Sequence, residues 1–422
     1  MTLRTRRKLF VFFIFLFILA SVGTVYYTQG YRFDFQEWKP TRTGSLYVES
    51  YIRPVSIFLN DKQHDDRSGL LKRGTLISSV IPKKYTVRIE KEGFIPYEKN
   101  IDIRESRVVR LYYVLPVPEN LRPSATFPVA DALRLVDSNE SGKVLVEGTG
   151  SYTVLDMLSP GAPLALDPYL ASLTRNAYSG FRFQRGTSDG LIGLREESVD
   201  VIRIGADAIS VLLRNTFDGF FVGGRNLFGF VASSPGAGQA SSTVFVHDLR
   251  TGSRLDTFDV PFEASDVVRA EGFDLRYLFL LSNGDVWVRE DGEFQKIAHD
   301  AVFGALSPDG YKVLYQDSGG SVFVYMLRDE FEALDLPARS TTRVQLADAA
   351  EARDLQWHAD SYHIFAGFRD KIVLSEIIRG EPTNQPAVWQ GPYDSFLHDA
   401  QSGGLFVLRD GVISRFDAWY NK

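Results

Sequence analysis

The carboxylates of the C-terminal part are the side chains of this sequence most able to carry out a reaction. Two carboxylates that face each other across a pocket can hydrolyse a glycosidic bond. Asp309, Asp354 and Asp360 are available for such a pair. Asp309 and Asp360, however, lie in short turn motifs, where Asp is expected because its side chain bonds the backbone of the turn. We therefore predict no catalytic residue and expect that the protein is not an enzyme.

Histidine is the next residue type that could do chemistry, as a metal ligand or a base. The spacing His-Glu-x-x-His does not occur, and the five-residue step from His358 to His363 predicts opposite faces of one strand. His64 lies in the acidic segment 61–66, which lacks the residue order of a calcium loop and is expected to be a solvated hairpin loop. We predict no metal site among the six histidines, His64, His247, His299, His358, His363 and His398.

Three further motifs resemble functional sites in composition only. Segment 233–242 is rich in Gly and Ser but lacks the Gly-Lys-Ser/Thr ending of a phosphate loop, so a flexible hairpin loop is expected there. Gly223 and Gly224 predict a turn or a bulge. Asn139 begins a glycosylation-like triplet that carries little weight in a chain of bacterial character. No cofactor site is predicted, and the absence of Cys excludes disulfides and thiolate chemistry.

The N-terminus carries the strongest signal of location. Arg4, Arg6, Arg7 and Lys8 precede residues 9–27, which contain no charge. A hydrocarbon core about 30 Å thick needs roughly 20 apolar residues in a helix. We predict a basic cytoplasmic segment at 1–8 and a transmembrane anchor at 9–28, with the rest of the chain outside the membrane.

A cleaved signal peptide is the alternative interpretation of this segment. Its apolar part would run over 9–20, and Ser21 and Gly23 offer small residues for cleavage. The anchor is favoured because apolar residues continue beyond Gly23, and because Tyr26, Tyr27 and Tyr31 fit an aromatic belt at the outer interface. Both interpretations export the rest of the chain, so lipid contact is expected only through residues 9–28.

Charge is divided unevenly along the chain, whose net charge is −6. Residues 1–40 carry six Lys/Arg and two Asp/Glu, residues 41–116 carry fourteen and nine, and residues 117–422 carry 27 and 42. The acidic distal part argues against nucleic-acid binding. The basic proximal part could attract anionic lipid or wall polymer, although an ordinary solvated surface is the favoured interpretation.

A small β-domain is expected at 43–116, after a juxtamembrane linker at 29–42. Period-two alternation predicts strands, and Asn60-Asp61, Arg73-Gly74, Glu92-Gly93 and residues 98–100 predict the turns between them. No amphipathic helix interrupts the pattern. We therefore predict a compact antiparallel domain with strands near 46–48, 55–59, 85–89, 101–103 and 108–115.

Part of this domain resembles the PEGA domain family. Segment 81–94 has the family's Pro-bearing turn, its Tyr-x-Val strand and a Gly followed by an aromatic, and segment 46–62 resembles the first half. Residues 52–55 (Ile-Arg-Pro-Val) stand where the family has Pro-Glu-Gly-Ala, and Lys84 replaces the turn glycine. PEGA domains are accessory modules of bacterial and archaeal surface proteins, so the resemblance implies a non-catalytic role at the cell surface.

The rest of the chain is repetitive. After a Pro-rich linker at 117–128, residues 129–420 show strand–turn–strand units about every 40–45 residues, which is typical of a β-propeller. Turn 307–310 (Ser-Pro-Asp-Gly) and its variant at 358–361 resemble the repeats of TolB-like and WD-type propellers. We predict an all-β chain with about seven blades after the N-terminal helix; an array of β-sandwiches is the alternative.

These expectations combine into a membrane-anchored cell-envelope protein whose propeller binds a protein or polysaccharide partner without catalysis. Propeller loops suit this role because they cluster on one rigid face. The alternatives are an extracellular glycan hydrolase or lyase with its site in the propeller channel, and a structural component of the surface coat. Carboxylates converging from different blades would favour the enzyme, and an aromatic or apolar rim would favour binding.

Overall fold

A computed structural model describes residues 3–420 except 36–37, 70–72, 140, 159–160, 176, 196–197, 215–216 and 233–240. The chain divides into two compact units. Unit 1 contains residues 1–119, 379–382 and 420–422, and unit 2 contains residues 120–378 and 383–419. The glycine-rich segment discussed above falls mostly outside the described residues.

One long helix begins unit 1. Helix α1 (Leu3–Thr28) begins with a basic turn and is apolar after it, because no charged residue follows Lys8 before its end. Its stretch from Thr5 to Thr28 is long and apolar enough to cross a membrane, and its most apolar window is not buried by the protein. Length and composition of this kind suit a membrane anchor or a signal sequence.

A hairpin follows the helix where a linker was expected. Strands β1 (Tyr31–Asp34) and β2 (Lys39–Arg42) pair antiparallel, so residues 29–42 are not a simple linker. Asp34 and Thr41 are buried, while the aromatic side chains of the segment are not. The aromatic and polar composition gave no alternation over four residues that could have predicted these short strands.

The remaining residues of unit 1 form two small sheets that enclose one apolar core. The first has the order β6-β3-β9 and the second has the order β5-β4-β7-β8. Alternating burial along β3, with Leu46 and Val48 inside, shows why the period-two pattern predicted it. The strands are β3 (Gly44–Ser50), β4 (Ser56–Leu59), β5 (Lys62–His64), β6 (Thr75–Val80), β7 (Lys84–Glu90), β8 (Tyr97–Asp102) and β9 (Val108–Val114).

Two predictions for this domain were wrong. Strands β3 and β9 pair in parallel, so the domain is not purely antiparallel. Residues 98–100, predicted as a turn, lie inside β8, where Lys99 is fully buried despite its charge. The Asn60-Asp61 turn was correct: both residues have positive φ, at 46° and 64°, as a tight two-residue hairpin requires.

Unit 2 contains seven four-stranded antiparallel sheets among its described residues, here called blades 1–7. Blade 1 contains β11 (Ala132–Ser138), β12 (Lys143–Gly148), β13 (Ser151–Asp156) and β14 (Leu164–Ala165). Blade 2 contains β15 (Gly180–Phe183), β16 (Gly190–Leu194), β17 (Ser198–Arg203) and β18 (Ala208–Arg214). Blade 3 contains β19 (Gly219–Gly223), β20 (Asn226–Ala232), β21 (Ser242–Asp248) and β22 (Arg254–Val260).

Blades 4–6 repeat this order. Blade 4 contains β23 (Val267–Phe273), β24 (Arg276–Leu281), β25 (Val286–Glu290) and β26 (Glu293–Ala298). Blade 5 contains β27 (Ala301–Leu306), β28 (Lys312–Asp317), β29 (Val322–Met326) and β30 (Thr341–Arg343). Blade 6 contains β31 (Asp354–Trp357), β32 (His363–Gly367), β33 (Lys371–Glu376) and β34 (Ala387–Gln390).

Blade 7 joins the two ends of unit 2. Its strands β35 (Ser395–His398), β36 (Leu405–Arg409) and β37 (Val412–Phe416) come from the C-terminal part, and its fourth strand is β10 (Ala125–Pro128). Strand β10 pairs antiparallel with β37. The last four residues of the expected linker 117–128 are therefore a strand of the propeller.

The seven sheets form a closed ring. Buried apolar clusters join each blade to the next, from blade 7 through blade 1 to blade 6. Gln356 of blade 6 closes the last gap, because its amide donates to the carbonyl of Phe396 and its oxygen accepts from the His398 amide in blade 7, both at 2.8 Å. The predicted all-β chain with an N-terminal helix and a propeller is confirmed.

Helical structure within unit 2 is sparse among the described residues. Helix α2 (Leu166–Leu173) follows β14, and two short 3₁₀ turns occupy Ala264–Asp266 and Ala349–Glu351. The sequence showed almost no helical periodicity, and α2 was not predicted. It buries only Leu166 and Leu170, and two buried positions are too few to produce a periodic hydrophobic pattern.

Candidate functional site

The turn that follows the first strand of blade 5 uses its carboxylate structurally, as predicted. Asp309 accepts hydrogen bonds from the Ser307 hydroxyl at 2.5 Å and the Tyr311 amide at 3.0 Å. Its second oxygen accepts from Lys312 Nζ at 2.6 Å, and the Lys312 side chain is only 1% exposed. Gly310 has φ of 71°, which a side chain would strain. Asp309 therefore holds the turn and the buried lysine.

Asp360 plays the same part in blade 6, with histidines around it. Its Oδ1 accepts from the Tyr362 and His363 amides at 2.8 and 3.0 Å, and its Oδ2 lies 2.7 Å from His363 Nδ1. His358 Nδ1 lies 3.0 Å from Oδ1. Burial alone would raise the pKa of Asp360, but His363 and His358 hold it well below its usual range.

The interpretation of His358 and His363 as residues on opposite faces of one strand was wrong. His358 follows β31 and His363 begins β32, so they flank a turn and their ring centroids lie 5.8 Å apart. Strand periodicity does not apply across a turn, because the chain reverses there. Both imidazoles instead converge on Asp360, and both residues are buried.

His398 of blade 7 completes this buried cluster. Its ring stacks on His358 with centroids 5.1 Å apart and an interplanar angle of 11°. Its Nδ1 lies 3.2 Å from the Gly404 carbonyl oxygen, which is an acceptor, so Nδ1 carries the proton. Its Nε2 accepts a hydrogen bond from the Ala359 amide at 3.2 Å. Burial, followed by the charge of His358, places the pKa of His398 well below its usual range. His398 is therefore neutral in the fold.

Three residues of the cluster have the donor types of a transition-metal site. One ligand atom each from His358, Asp360 and His363 lies within 4.8 Å of the others. Coordination would displace the Asp360–His363 hydrogen bond, and the same turn positions in blade 5 hold the plain Asp309–Lys312 ion pair. The parallel favours a structural cluster, and the absence of a metal site stays a prediction.

The other sequence candidates have structural surroundings. Asn139 is 1% exposed, and its Oδ1 accepts from the Ser141 and Lys143 amides at 3.1 and 2.9 Å. His64 is half-buried at the end of β5 in the expected hairpin, and burial lowers its pKa. Burial would raise the pKa of Asp66, but hydrogen bonds from Thr75 and Ser68 lower it.

A pocket opens at the other end of blade 6. Asp354 begins β31 whereas the histidine cluster lies beyond its last residue, so the two sites are at opposite ends of the same strand. The pocket has a volume of about 320 Å³ and draws on blades 1, 6 and 7. This volume is at the lower end for small-molecule sites and would hold one side chain or sugar ring. It is lined by Arg134, Arg353, Asp354, Phe368, Arg369, Tyr393, Asp394 and Ser395.

The pocket contains two arginines without an ion pair among the described residues, beside two carboxylates in the same lining. Arg134 pairs with Glu147. Arg353 and Arg369 are exposed and form no ion pair with any residue that the structure describes. A guanidinium presents five donors in a planar fork that matches a carboxylate or phosphate. This end of the ring can therefore bind an anionic group.

Two carboxylates and a phenol share the pocket with the arginines. Burial raises the pKa of Asp354, against the opposing effects of the Gln356 amide and the Arg269 charge. Burial, followed by the nearby charge of Asp354, raises the pKa of Tyr393 to about 12. Asp394 is exposed and accepts from the Asp410 amide at 2.8 Å. Asp354 and Asp394 come from different blades, which is the arrangement that favours an enzyme.

Sequence reasoning singled out only Asp354 among these residues. The arginines and Tyr393 have no local motif, and Arg134 lies more than 200 residues before the others. Their one shared feature is their position next to the start of a blade's first strand or in the turn after its second strand. A blade-by-blade alignment of the repeats could have grouped them.

A comparison with known protein families agrees with the first β-region. Residues 75–118 match the PEGA domain, which includes the segment 81–94 that carried the resemblance but not the proposed first half at 46–62. No curated protein matches the chain.

Two solved structures are similar to a large part of the chain. One is described as the mitotic checkpoint complex: 13% identity, 73% of this chain, 99% of that chain, TM-score 0.47. The other is PorZ, a bacterial surface component of the type-IX secretion system of Porphyromonas gingivalis: 12% identity, 70% of this chain, 38% of that chain, TM-score 0.46. Neither likeness says what this chain binds.

Proposed function

We propose that this protein is a membrane-anchored scaffold of the bacterial cell envelope that binds an acidic partner through its propeller, without catalysis. Helix α1 supports the anchoring because it is long and apolar enough to span and is preceded by basic residues. In this arrangement residues 1–8 are cytoplasmic and both β-units lie outside. The PEGA match supports a location at the cell surface.

Retention of α1 separates an anchor from a cleaved signal. Mass spectrometry of the protein extracted from membranes should find peptides from residues 9–28. A mature N-terminus near Gly23 would show that α1 is a signal sequence, and the protein would then be secreted or held by other contacts.

The two exposed arginines of the pocket carry the binding proposal. Residues 117–422 are strongly acidic overall, and Arg353 and Arg369 lie together at one pocket, where both can contact one bound anion. Arg353 and Arg369 flank the half-buried Asp354 at the pocket, and a side chain or sugar ring fits its volume. The partner is therefore expected to offer a carboxylate, from an acidic protein segment or from a uronic-acid polysaccharide.

Binding of defined acidic polymers tests this proposal. Full-length protein in nanodiscs would be titrated with polyglutamate, with polygalacturonate and with neutral dextran. Arg353→Ala/Arg369→Ala should weaken acidic-polymer binding at least tenfold, because one charge-assisted hydrogen bond of about 1.5 kcal/mol already equals a tenfold change. The matched control Arg254→Ala/Arg343→Ala removes two exposed arginines from outer strands. Equal loss in both double variants would mean non-specific attraction and would contradict a specific site.

A hydrolase or lyase acting on glycan is the second candidate, favoured by one observation. Asp354 and Asp394 line one pocket from different blades, and the raised pKa of Asp354 suits a general acid. Turnover of wall glycans by the purified full-length protein, abolished by Asp354→Asn, would establish the enzyme. Binding without turnover would leave the scaffold.

A further inference from the structure

The β1–β2 hairpin carries an exposed aromatic cluster directly after the apolar helix. Phe33 is 43% exposed, Phe35 is 75% exposed and Trp38 is 78% exposed. Their rings contact one another edge to face, with centroids 5.2 Å apart for Phe33–Phe35 and 6.0 Å apart for Phe33–Trp38. Contiguous exposed apolar surface of this kind marks a contact with another molecule or with a membrane.

The two faces of the hairpin are inverted relative to those of a water-exposed hairpin. Residues directly opposite each other in an antiparallel pair share a face. Asp34 and Thr41 lie on the face that is turned inward, with exposures of 9% and 6%. Phe33 and its cross-strand partner Pro40 lie on the outer face. A hairpin in water would place its apolar side chains inside instead.

Contacts with the end of α1 hold the hairpin in place. Arg32 stacks over the Tyr27 ring at 3.6 Å and donates to the Tyr27 carbonyl at 3.1 Å, and its other terminal nitrogen donates to the Ser79 hydroxyl at 3.1 Å. The rings of Tyr26 and Tyr31 lie 5.3 Å apart. The hairpin is therefore fixed to the last turn of the helix and to β6 of the small domain.

This attachment keeps the hairpin next to the headgroup zone when α1 spans, because β1 begins three residues after the end of the helix. The headgroup zone is about 5–8 Å deep on each side of the hydrocarbon core, so a strand of four residues, about 13 Å long, fits within it when it lies close to the membrane plane. Trp, Tyr and Phe favour this zone because they combine an apolar ring with polar edges or a polarisable face. Arg42 lies on the same face as Phe33 and can meet anionic headgroups.

We propose that the β1–β2 hairpin lies in the outer leaflet of the bilayer that α1 spans, with Phe33, Phe35 and Trp38 among the headgroups. This inference rests on the proposed anchoring role of α1. The hairpin is a second lipid contact beyond residues 9–28. It restricts rotation of the small β-domain about the end of α1.

Depth-dependent quenching tests the inference, and the absence of Cys makes each label unique. Full-length Phe35→Cys protein, labelled with an environment-sensitive fluorophore, would be reconstituted in vesicles of phosphatidylcholine and phosphatidylglycerol. Headgroup-level spin-labelled lipid should quench it at least twofold, and aqueous iodide should quench it little. Phe15→Cys in α1 reports anchoring with a deep lipid quencher, Asp291→Cys in an exposed turn of blade 4 reports water, and Trp38→Cys repeats the test at a second exposed position.

The outcomes separate the hairpin from the anchor. Lipid quenching at Phe15, Phe35 and Trp38, with iodide quenching at Asp291, supports the inference. Quenching of Phe15 by lipid and of Phe35 and Trp38 by iodide overturns it while the anchor stands. Protection of Phe35 from both quenchers also overturns it, because a protein surface then covers the hairpin. Loss of lipid quenching at every position overturns the anchor and the inference together. Lipid quenching at Phe35 without Phe15 also overturns both, because the hairpin would then contact lipid without a spanning helix beside it.

Discussion

Loss of propeller stability between pH 7 and pH 5 is expected from the single side chain of His398. Its two ring nitrogens are used by the Gly404 carbonyl and the Ala359 amide, and its ring lies between His358 and Phe365. A proton on Nε2 would remove the acceptor of the Ala359 amide in a buried site. The pKa of His398 is accordingly far below its usual value in the folded protein.

The sign and size of the effect follow from proton linkage. An unfolded chain binds a proton at this histidine near pH 6.5, whereas the folded chain does not, so the free energy of unfolding falls as the pH falls below about 6.5. Each pH unit costs at most about 1.4 kcal/mol, so the loss of stability at pH 5 has an upper limit of about 2 kcal/mol. For the residues of unit 2, with about 2.1 cal/mol/K of unfolding entropy each, the melting temperature should fall by about 3 °C. The depressed pKa of Asp360 acts only in more acidic solution, below about pH 4.

Thermal unfolding of the full chain in detergent micelles, followed from pH 7 to pH 5, is the assay. His398→Gln should be less stable at pH 7 but should lose the additional decrease of about 3 °C, because glutamine does not titrate. His299→Gln is the matched control, since its side chain is 72% exposed. The half-buried His64 is present in the wild type and in both variants, so its contribution to the pH dependence of stability cancels in the comparison. A pH slope in His398→Gln equal to that of the wild type would refute the neutral-histidine interpretation.

Two further substitutions test packing within the ring. Gly223→Ala should lower the melting temperature by several degrees, because a Cβ would overlap the backbone carbonyl oxygen of Ala270 in the next blade. An unchanged melting temperature would show that blades 3 and 4 can move apart at little cost. Lys312→Met should cost about 2–3 kcal/mol in denaturant unfolding because it leaves Asp309 without its buried partner, whereas Lys296→Met, at a pair with more solvent, should cost less than about 1 kcal/mol. Similar costs for the two lysine variants would contradict the structural role of the Asp309 turn.

Local patterns predicted the inner strands of the blades well. Residues 301–306, 312–315 and 322–325 lie in β27, β28 and β29, because buried central strands are continuous apolar runs. Strand β10 could not be predicted in this way. It pairs with residues almost 290 positions later, and only closure of the ring defines it. The β1–β2 hairpin was missed for a different reason, since its apolar residues face outward.

The same distinction applies to the sites. The roles of Asp309 and Asp360 were predictable because each bonds amides within three residues of itself. The pocket was not predictable, because Arg134 reaches Arg353 and Arg369 only through the contact of blade 7 with blade 1. Non-local residues leave no spacing signal in the sequence.

The two ends of blade 6 differ in how completely their polar groups are used, and this difference favours one end for the proposed binding. At one end His398 and Asp360 are buried and their hydrogen bonds stay within the protein, so an external partner would have to break them. At the other end Arg353 and Arg369 are exposed and have no ion pair among the described residues. Binding of an anion to these two arginines would therefore break no internal ion pair that the structure describes. If the propeller has one anionic partner, the end with the arginines is where it should bind.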